Sequence, residues 1–151
     1  METGKYFKAG LLASALALAG SHAQAELTIG VIMPLTGPGS GLGITAKNGL
    51  ALWPDSIAGE KIKMIVLDDA TDPSQASKNA RRLVTEDKVD MIIGSASVPP
   101  TLAIADVAAE SQTVQLAISP IELPEGKDRW TFRLPQSTAV MAGALGAMLM
   151  D

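Results

Sequence analysis

The chain has 151 residues, of which 47% are hydrophobic, 19% charged and 3% aromatic, with a formal net charge of −4. This is too apolar for disorder, is sized for one packed core, and argues against a nucleic-acid groove or an anionic membrane surface as partner. There is no Cys and a single His, His22, which excludes disulfides, thiolate nucleophiles, zinc–thiolate sites and iron–sulfur ligation.

Residues 1–25 read as a secretory signal. Lys5 and Lys8 make a basic start, Ala9 to Gly20 is a short apolar run, and Ala23-Gln24-Ala25 offers small residues before a break. The apolar run falls well short of the roughly 20 residues that span a bilayer. Cleavage after Ala25 is expected, with no Cys behind it to take a lipid, and a product released to the periplasm. Beyond residue 25 the chain has 126 residues, with ten Lys+Arg against fifteen Asp+Glu and neither His nor Cys. Ser-His-Asp, Cys-His and His-metal chemistry therefore have no residues to use there. The S-x-x-K arrangement and the P-loop are absent as well.

Four short apolar runs then read as strands: Leu27 to Met33, Ile62 to Leu67, Val89 to Ile93 and Val114 to Ile118. Runs of this kind suit a parallel sheet covered on both faces. Helix patterns alternate with them. The first runs from about Gly43 to Trp53, stopped by Pro54. The second starts at Asp72 as N-cap with Pro73 behind it, Gln75 completing a capping box, and Ala76, Ala80, Leu83 and Val84 as one stripe. The third begins near Pro99-Pro100 and ends about Ser111. A short strand is expected near Trp130–Leu134, and Ser137 opens a last helix with Val140, Met141, Leu145 and Met148 as its apolar face. The order predicts an α/β fold: a parallel sheet with helices on both faces.

In such a sheet ligands lie beyond the carboxyl ends of the strands. Those ends are the loops at 34–43, 68–72, 95–100 and 119–128. The first is rich in Gly, the third holds Ser95 and Ser97, and both lead into helix N-termini, where free N–H groups and the helix dipole favour an anion. A small ligand with a carboxylate is expected; on spacing alone a tight connection and helix caps explain the same residues equally well. The Gly loop lacks the third Gly of a dinucleotide fingerprint, since Leu42 and Ile44 stand where it would fall. Asp68, Asp69 and Asp72 resemble oxygen ligands for a metal, but no regular ligand loop follows, so a strand-end turn with an N-cap is the expectation and no metal is. A hydrolase built on Asp68 and Asp69 is disfavoured because neighbours on a strand point to opposite faces. The Met-rich tail reads as core.

Three stretches resemble one family. Ile29-Gly30-Val31-Ile32-Met33-Pro34-Leu35-Thr36-Gly37-Pro38, Leu67-Asp68-Asp69-Ala70-Thr71-Asp72-Pro73 and Val89-Asp90-Met91-Ile92-Ile93-Gly94-Ser95 follow in order the pattern of the periplasmic leucine/isoleucine/valine-binding proteins. The resemblance implies an extracytoplasmic substrate-binding protein of an ABC importer, not an enzyme, without cofactor. Two α/β lobes would close on the ligand, and membrane subunits of the importer would be partners. It also implies an N-terminal fragment: residues 26–134 as the first part of the N-terminal lobe, 135–151 as the start of the second. The ligand would be a branched-chain amino acid or a related small hydrophobic or aromatic carboxylate. Carried over by position, the ligand-binding residues are Leu42, Ser97, Val98, Thr101, Ile121 and Leu123. Val98 and Leu123 stand where amino-acid binders place hydroxyls, Ile121 would offer its carbonyl, and Leu42 falls where an aromatic residue often lies. The apolar replacements suit a more hydrophobic ligand body. A ligand-sensing domain of a signalling receptor is the alternative on the same fold.

Overall fold

The computed structural model describes residues 26–150; the expected signal segment lies outside the described residues. Six strands form one sheet: β1 Glu26–Met33, β2 Ser56–Ile57, β3 Glu60–Asp68, β4 Met91–Gly94, β5 Val114–Ala117 and β6 Thr131–Arg133. The spatial order is β2-β3-β1-β4-β5-β6. Every pairing is parallel except the hairpin of β2 with β3. Four helices join them: α1 Ser40–Leu50, α2 Pro73–Thr85, α3 Val98–Ser111 and α4 Thr138–Met150.

The period-2 alternation of β1 sorts the core into two layers. Ile29, Val31 and Met33 point to one face with Ile93, where Ala46 and Leu50 of α1 cover them. Ile32 and Ile92 point to the other, against Ala76, Ala80 and Leu83 of α2 and Ile104 and Val107 of α3. Gly30 belongs to this second face. A Cβ there would lie 2.6 Å from Leu83 Cδ1, so α2 seats Leu83 where β1 has no side chain.

The elements differ from expectation in four places. Helix α1 starts three residues earlier, so Ser40 to Gly43 are helical and the β1–α1 loop shrinks to 34–39. Gly43 is buried there, and a Cβ would come within 2.1 Å of the Pro34 carbonyl. Its C-terminal end loosens at Ala51, short of Trp53, where Leu52 N and Trp53 N donate to Gly49 O and Leu50 O in single turns. Asp72 caps α2 as expected, accepting from Ser74 N at 2.6 Å and Gln75 N at 3.0 Å. The capping box does not form: Gln75 Nε2 donates one turn onward to Asn79 Oδ1, because buried Asn79 is itself fixed by donating to Asp68 O. Strand β2 was not expected. It rests on a two-residue turn, Ala58-Gly59, with φ of 54° and 88°, the double positive φ that a tight hairpin of matching twist requires.

Helix α4 carries Val140, Met141, Leu145, Met148 and Leu149 exposed. The expectation that the Met-rich tail is core is not met among the described residues, where Met141 and Met148 stay exposed.

Candidate functional site

Strand β1 lies between β3 and β4, and the crossovers leave it in opposite directions. Helix α1 carries the chain from β1 to the β2–β3 side, whereas α3 carries it from β4 to β5. The carboxyl ends of β1 and β4 therefore form a topological switch point, the place where an open α/β sheet leaves a crevice. The loops at 34–39 and 95–97 meet there. A Cβ on Gly39 would lie 3.0 Å from both Ser97 Oγ and Thr71 Oγ1, so three loops are in contact at one glycine.

Each loop is shaped by a carboxylate from the turn after β3. Asp68 Oδ1 accepts from Leu35 N (2.8 Å), Thr36 N (3.2 Å) and Ala70 N (2.8 Å), and its Oδ2 from Thr36 Oγ1 (2.6 Å). Slight burial works to raise its pKa, but these hydrogen bonds outweigh it and hold the carboxyl below the ordinary range. Asp72 serves as the α2 cap. Asp69 is fully buried and accepts from Thr71 N at 2.8 Å through Oδ1. Burial pushes its pKa up, the Ser95 hydroxyl and the Thr71 amide oppose that, and the nearby charges of Asp68 and Asp72 add to the rise. The three carboxylates thus have separate duties, and among the described residues no group of three acidic or His/Cys side chains converges on a metal position. Asp68 and Asp69 also meet different partners, one the β1–α1 loop and the other the turn at Thr71, as their opposite directions on the strand require.

A buried polar network lies beneath the loops. Thr101 Oγ1 sits at its centre: 3.0 Å from Ser95 N, 2.8 Å from Ser95 O, 2.7 Å from Ser97 O and 2.7 Å from Ser119 Oγ. Gln115 extends it, donating from Nε2 to Gly94 O and Thr101 O and accepting at Oε1 from Thr131 Oγ1. The loop after β4, the loop after β5 and the start of β6 are thereby locked together.

The six positions carried over from the resemblance divide into two sets. Leu42, on the first turn of α1, is 62% exposed, and Val98, at the start of α3, is 39% exposed. Ser97 is half-buried at the α3 N-cap and its side chain makes no capping bond. Leu123 is half-buried in the loop after β5. These four have surface to offer a ligand. Thr101 and Ile121 do not: both are buried, Thr101 at 0% exposure with its hydroxyl committed as above. The Ile121 carbonyl receives Arg133 Nη1 at 3.3 Å, and the same guanidinium pairs with Glu122 at 3.0 Å. Helix α3 also offers fewer amides than the span 97–101 suggests. Pro99 and Pro100 have no N–H, and Thr101 N donates to Ser97 O at 3.1 Å. The residues that sequence reasoning passed over are Thr36, Thr71, Gln115 and Ser119. Gln115 alone carried a signal, as a polar residue inside an apolar strand run.

The family model for periplasmic binding proteins matches residues 26–151. The chain belongs to the periplasmic binding protein family. A Leu/Ile/Val-binding protein, BraC3 of Rhizobium johnstonii, is 36% identical over 95 residues, covering 59% of this chain and 26% of that protein. An extracellular ligand-binding receptor from Rhodopseudomonas palustris superposes with a TM-score of 0.82 at 39% identity, covering 84% of this chain and 35% of that one. A solute-binding protein of an ABC transporter from Rhodopseudomonas palustris BisB5, in complex with 3,4-dihydroxybenzoic acid, gives a TM-score of 0.72 at 25% identity, over 82% and 36% of the two chains. The chain spans between about a quarter and about a third of the length of these proteins. The leucine/isoleucine/valine-binding resemblance agrees with these findings, as does the α/β fold expected from the residues, its sheet parallel but for the β2–β3 hairpin.

Proposed function

We propose that the chain is the opening part of an extracytoplasmic solute receptor that delivers a small carboxylate to an ABC importer. Residues 1–25 direct export and are removed after Ala25, residues 26–134 build the first lobe, and 135–151 begin the second. The observation that carries the reading is the meeting of the β1–α1 and β4–α3 loops at the switch point, where Ser97 packs against Gly39 and Leu42 and Val98 are exposed. The ligand carboxylate sits at Ser97 and the free Val98 amide, stabilised by the positive end of α3. Its apolar body rests on Leu42, Val98 and Leu123. Capture without conversion follows from closure: the ligand favours the closed state by contacts that exist only when both lobes touch it.

The related proteins named above, one for branched-chain amino acids and one holding 3,4-dihydroxybenzoate, define the two ligand classes to try. The apolar side chains at positions 98 and 123 favour the hydrophobic or aromatic acid. The test is the melting temperature of the full-length protein with leucine, isoleucine, valine, phenylalanine, phenylpyruvate and 3,4-dihydroxybenzoate. A ligand at one hundred times its Kd adds about 2.7 kcal/mol, a rise of several degrees. No shift with any of the six, in a protein that melts cooperatively, refutes the reading.

A further inference from the structure

Among the buried polar groups beneath the mouth, Asp69 is the exception. It has 0% exposure, yet its Oδ2 has no hydrogen-bond partner. A buried carboxyl left half-satisfied is costly, and folding stability alone gives no reason to keep one. Its neighbours supply a reason. Its Oδ1 holds the amide of Thr71, a β-branched residue at φ 65°. That conformation is rare for such a residue and persists only when the surroundings impose it. Thr71 in turn accepts from Gly39 N at 2.9 Å through Oγ1, fixing the start of α1. Gly39 packs against the other loop: a Cβ there would lie 3.0 Å from Ser97 Oγ, and Ser97 N donates to Ser95 Oγ at 3.4 Å.

We propose that Asp69 is the positioning residue of the mouth, setting the spacing of the two ligand loops by holding Thr71 against Gly39, which packs against Ser97. The proposal rests on the receptor reading for its purpose, but the geometry it claims is measurable without ligand. It touches no ligand itself. The charges bearing on it are Asp68 and Asp72 of its own turn; the Thr71 amide of that turn and Ser95 from the loop after β4 are neutral.

The experiment compares Asp69→Leu, similar in shape but without polar atoms, with Asp69→Asn, which keeps an acceptor for Thr71. Amide hydrogen exchange is read residue by residue in the full-length protein. In Asp69→Leu the amides of Gly39, Thr71 and Ser97 exchange about tenfold faster or more, while the amides of β1 and β4 and the melting temperature hold. Asp69→Asn restores Thr71 and Gly39. Affinity for leucine or 3,4-dihydroxybenzoate, whichever the wild type binds, falls about tenfold or more in Asp69→Leu through the loosened loops. Each exchange rate is divided by its base-catalysed intrinsic value at that pH; the resulting protection at Thr71 changes with pH above the ordinary carboxylate range in wild type and not in either variant. Unchanged exchange at those three amides in Asp69→Leu overturns the proposal. So does a uniform rise across the whole lobe with a fallen melting temperature, which marks a general packing role. Failure of wild type to bind any probe counts against the receptor reading alone, because the exchange result stands apart from it.

Discussion

Thr101 tests whether the mouth is built from the network below it or from side chains that touch ligand. Replacing Thr101 by Val keeps the shape and removes the hydroxyl. A hydroxyl has one proton to give and two lone pairs. The four contacts around Oγ1 therefore resolve into acceptance from Ser95 N and Ser119 Oγ, with donation shared between Ser95 O and Ser97 O. In Thr101→Val the Ser95 amide and the Ser119 hydroxyl, both in buried residues, lose their partner. Each such group costs about 1–3 kcal/mol. Ser119 can rotate its proton elsewhere, so the expected loss is about 2–4 kcal/mol. Thr101→Ser keeps the hydroxyl and removes one buried methyl, for about 1 kcal/mol. Urea unfolding of the ligand-free, full-length protein reads both as shifts of midpoint at constant slope. The reasoning is refuted if Val falls within about 0.5 kcal/mol of wild type while Ser is the worse of the two. A ligand-contacting Thr101 would show the reverse pattern, with ligand-free stability intact and affinity reduced.

Two further expectations follow from the turn after β3. Asp72→Ala removes the acceptor for Ser74 N and Gln75 N at the α2 cap and lowers stability by about 1 kcal/mol in the same urea assay; no change would mean that water replaces the cap. Asp68 is held below the ordinary carboxylate range in the folded chain, so its contribution is present above the unfolded value of about 3.9 and is lost as pH falls through the folded one. Asp68→Asn therefore flattens the acid limb of the melting-temperature profile, and a variant that keeps the wild-type acid limb refutes the assignment.

How much of this could be read beforehand depended on the range of the interaction. The apolar runs of β1, β3, β4 and β5 were legible because strands covered on both faces are apolar without alternation. Asp72-Pro73 was legible because a cap and its helix are adjacent in sequence. Strand β2 was not: it is two residues long, and its turn places Ala58 at a positive φ for which Ala gives no cue. The network was hidden for the opposite reason. Thr101 pairs with Ser119 18 positions away, and Gln115 with Gly94 21 positions away, so the hydroxyl or amide and its partner share no local pattern. Positions carried over by resemblance could not say which side chains turn inward. Thr101 turns inward because it sits one turn into α3, where its hydroxyl reaches back to the carbonyl of Ser97.

The prolines of α3 sharpen what the mouth can recognise. A helix start ordinarily presents several free N–H groups to an anion. Among the first four residues of α3, Pro99 and Pro100 have none and the Thr101 amide is spent on Ser97 O, leaving Val98. The macrodipole survives this loss, since it arises from the whole helix, but the directed hydrogen bonds do not. A carboxylate is therefore attracted to this end more than it is gripped by it. On the proposed reading, discrimination would then pass to Leu42, Val98 and Leu123, whose apolar surface would distinguish ligands by the area they bury, at about 25 cal/mol per Å². On that arithmetic a planar aromatic body gains more from these three side chains than a valine-sized one. The affinity order of the acid panel should accordingly follow apolar area more closely than the presence of an amino group.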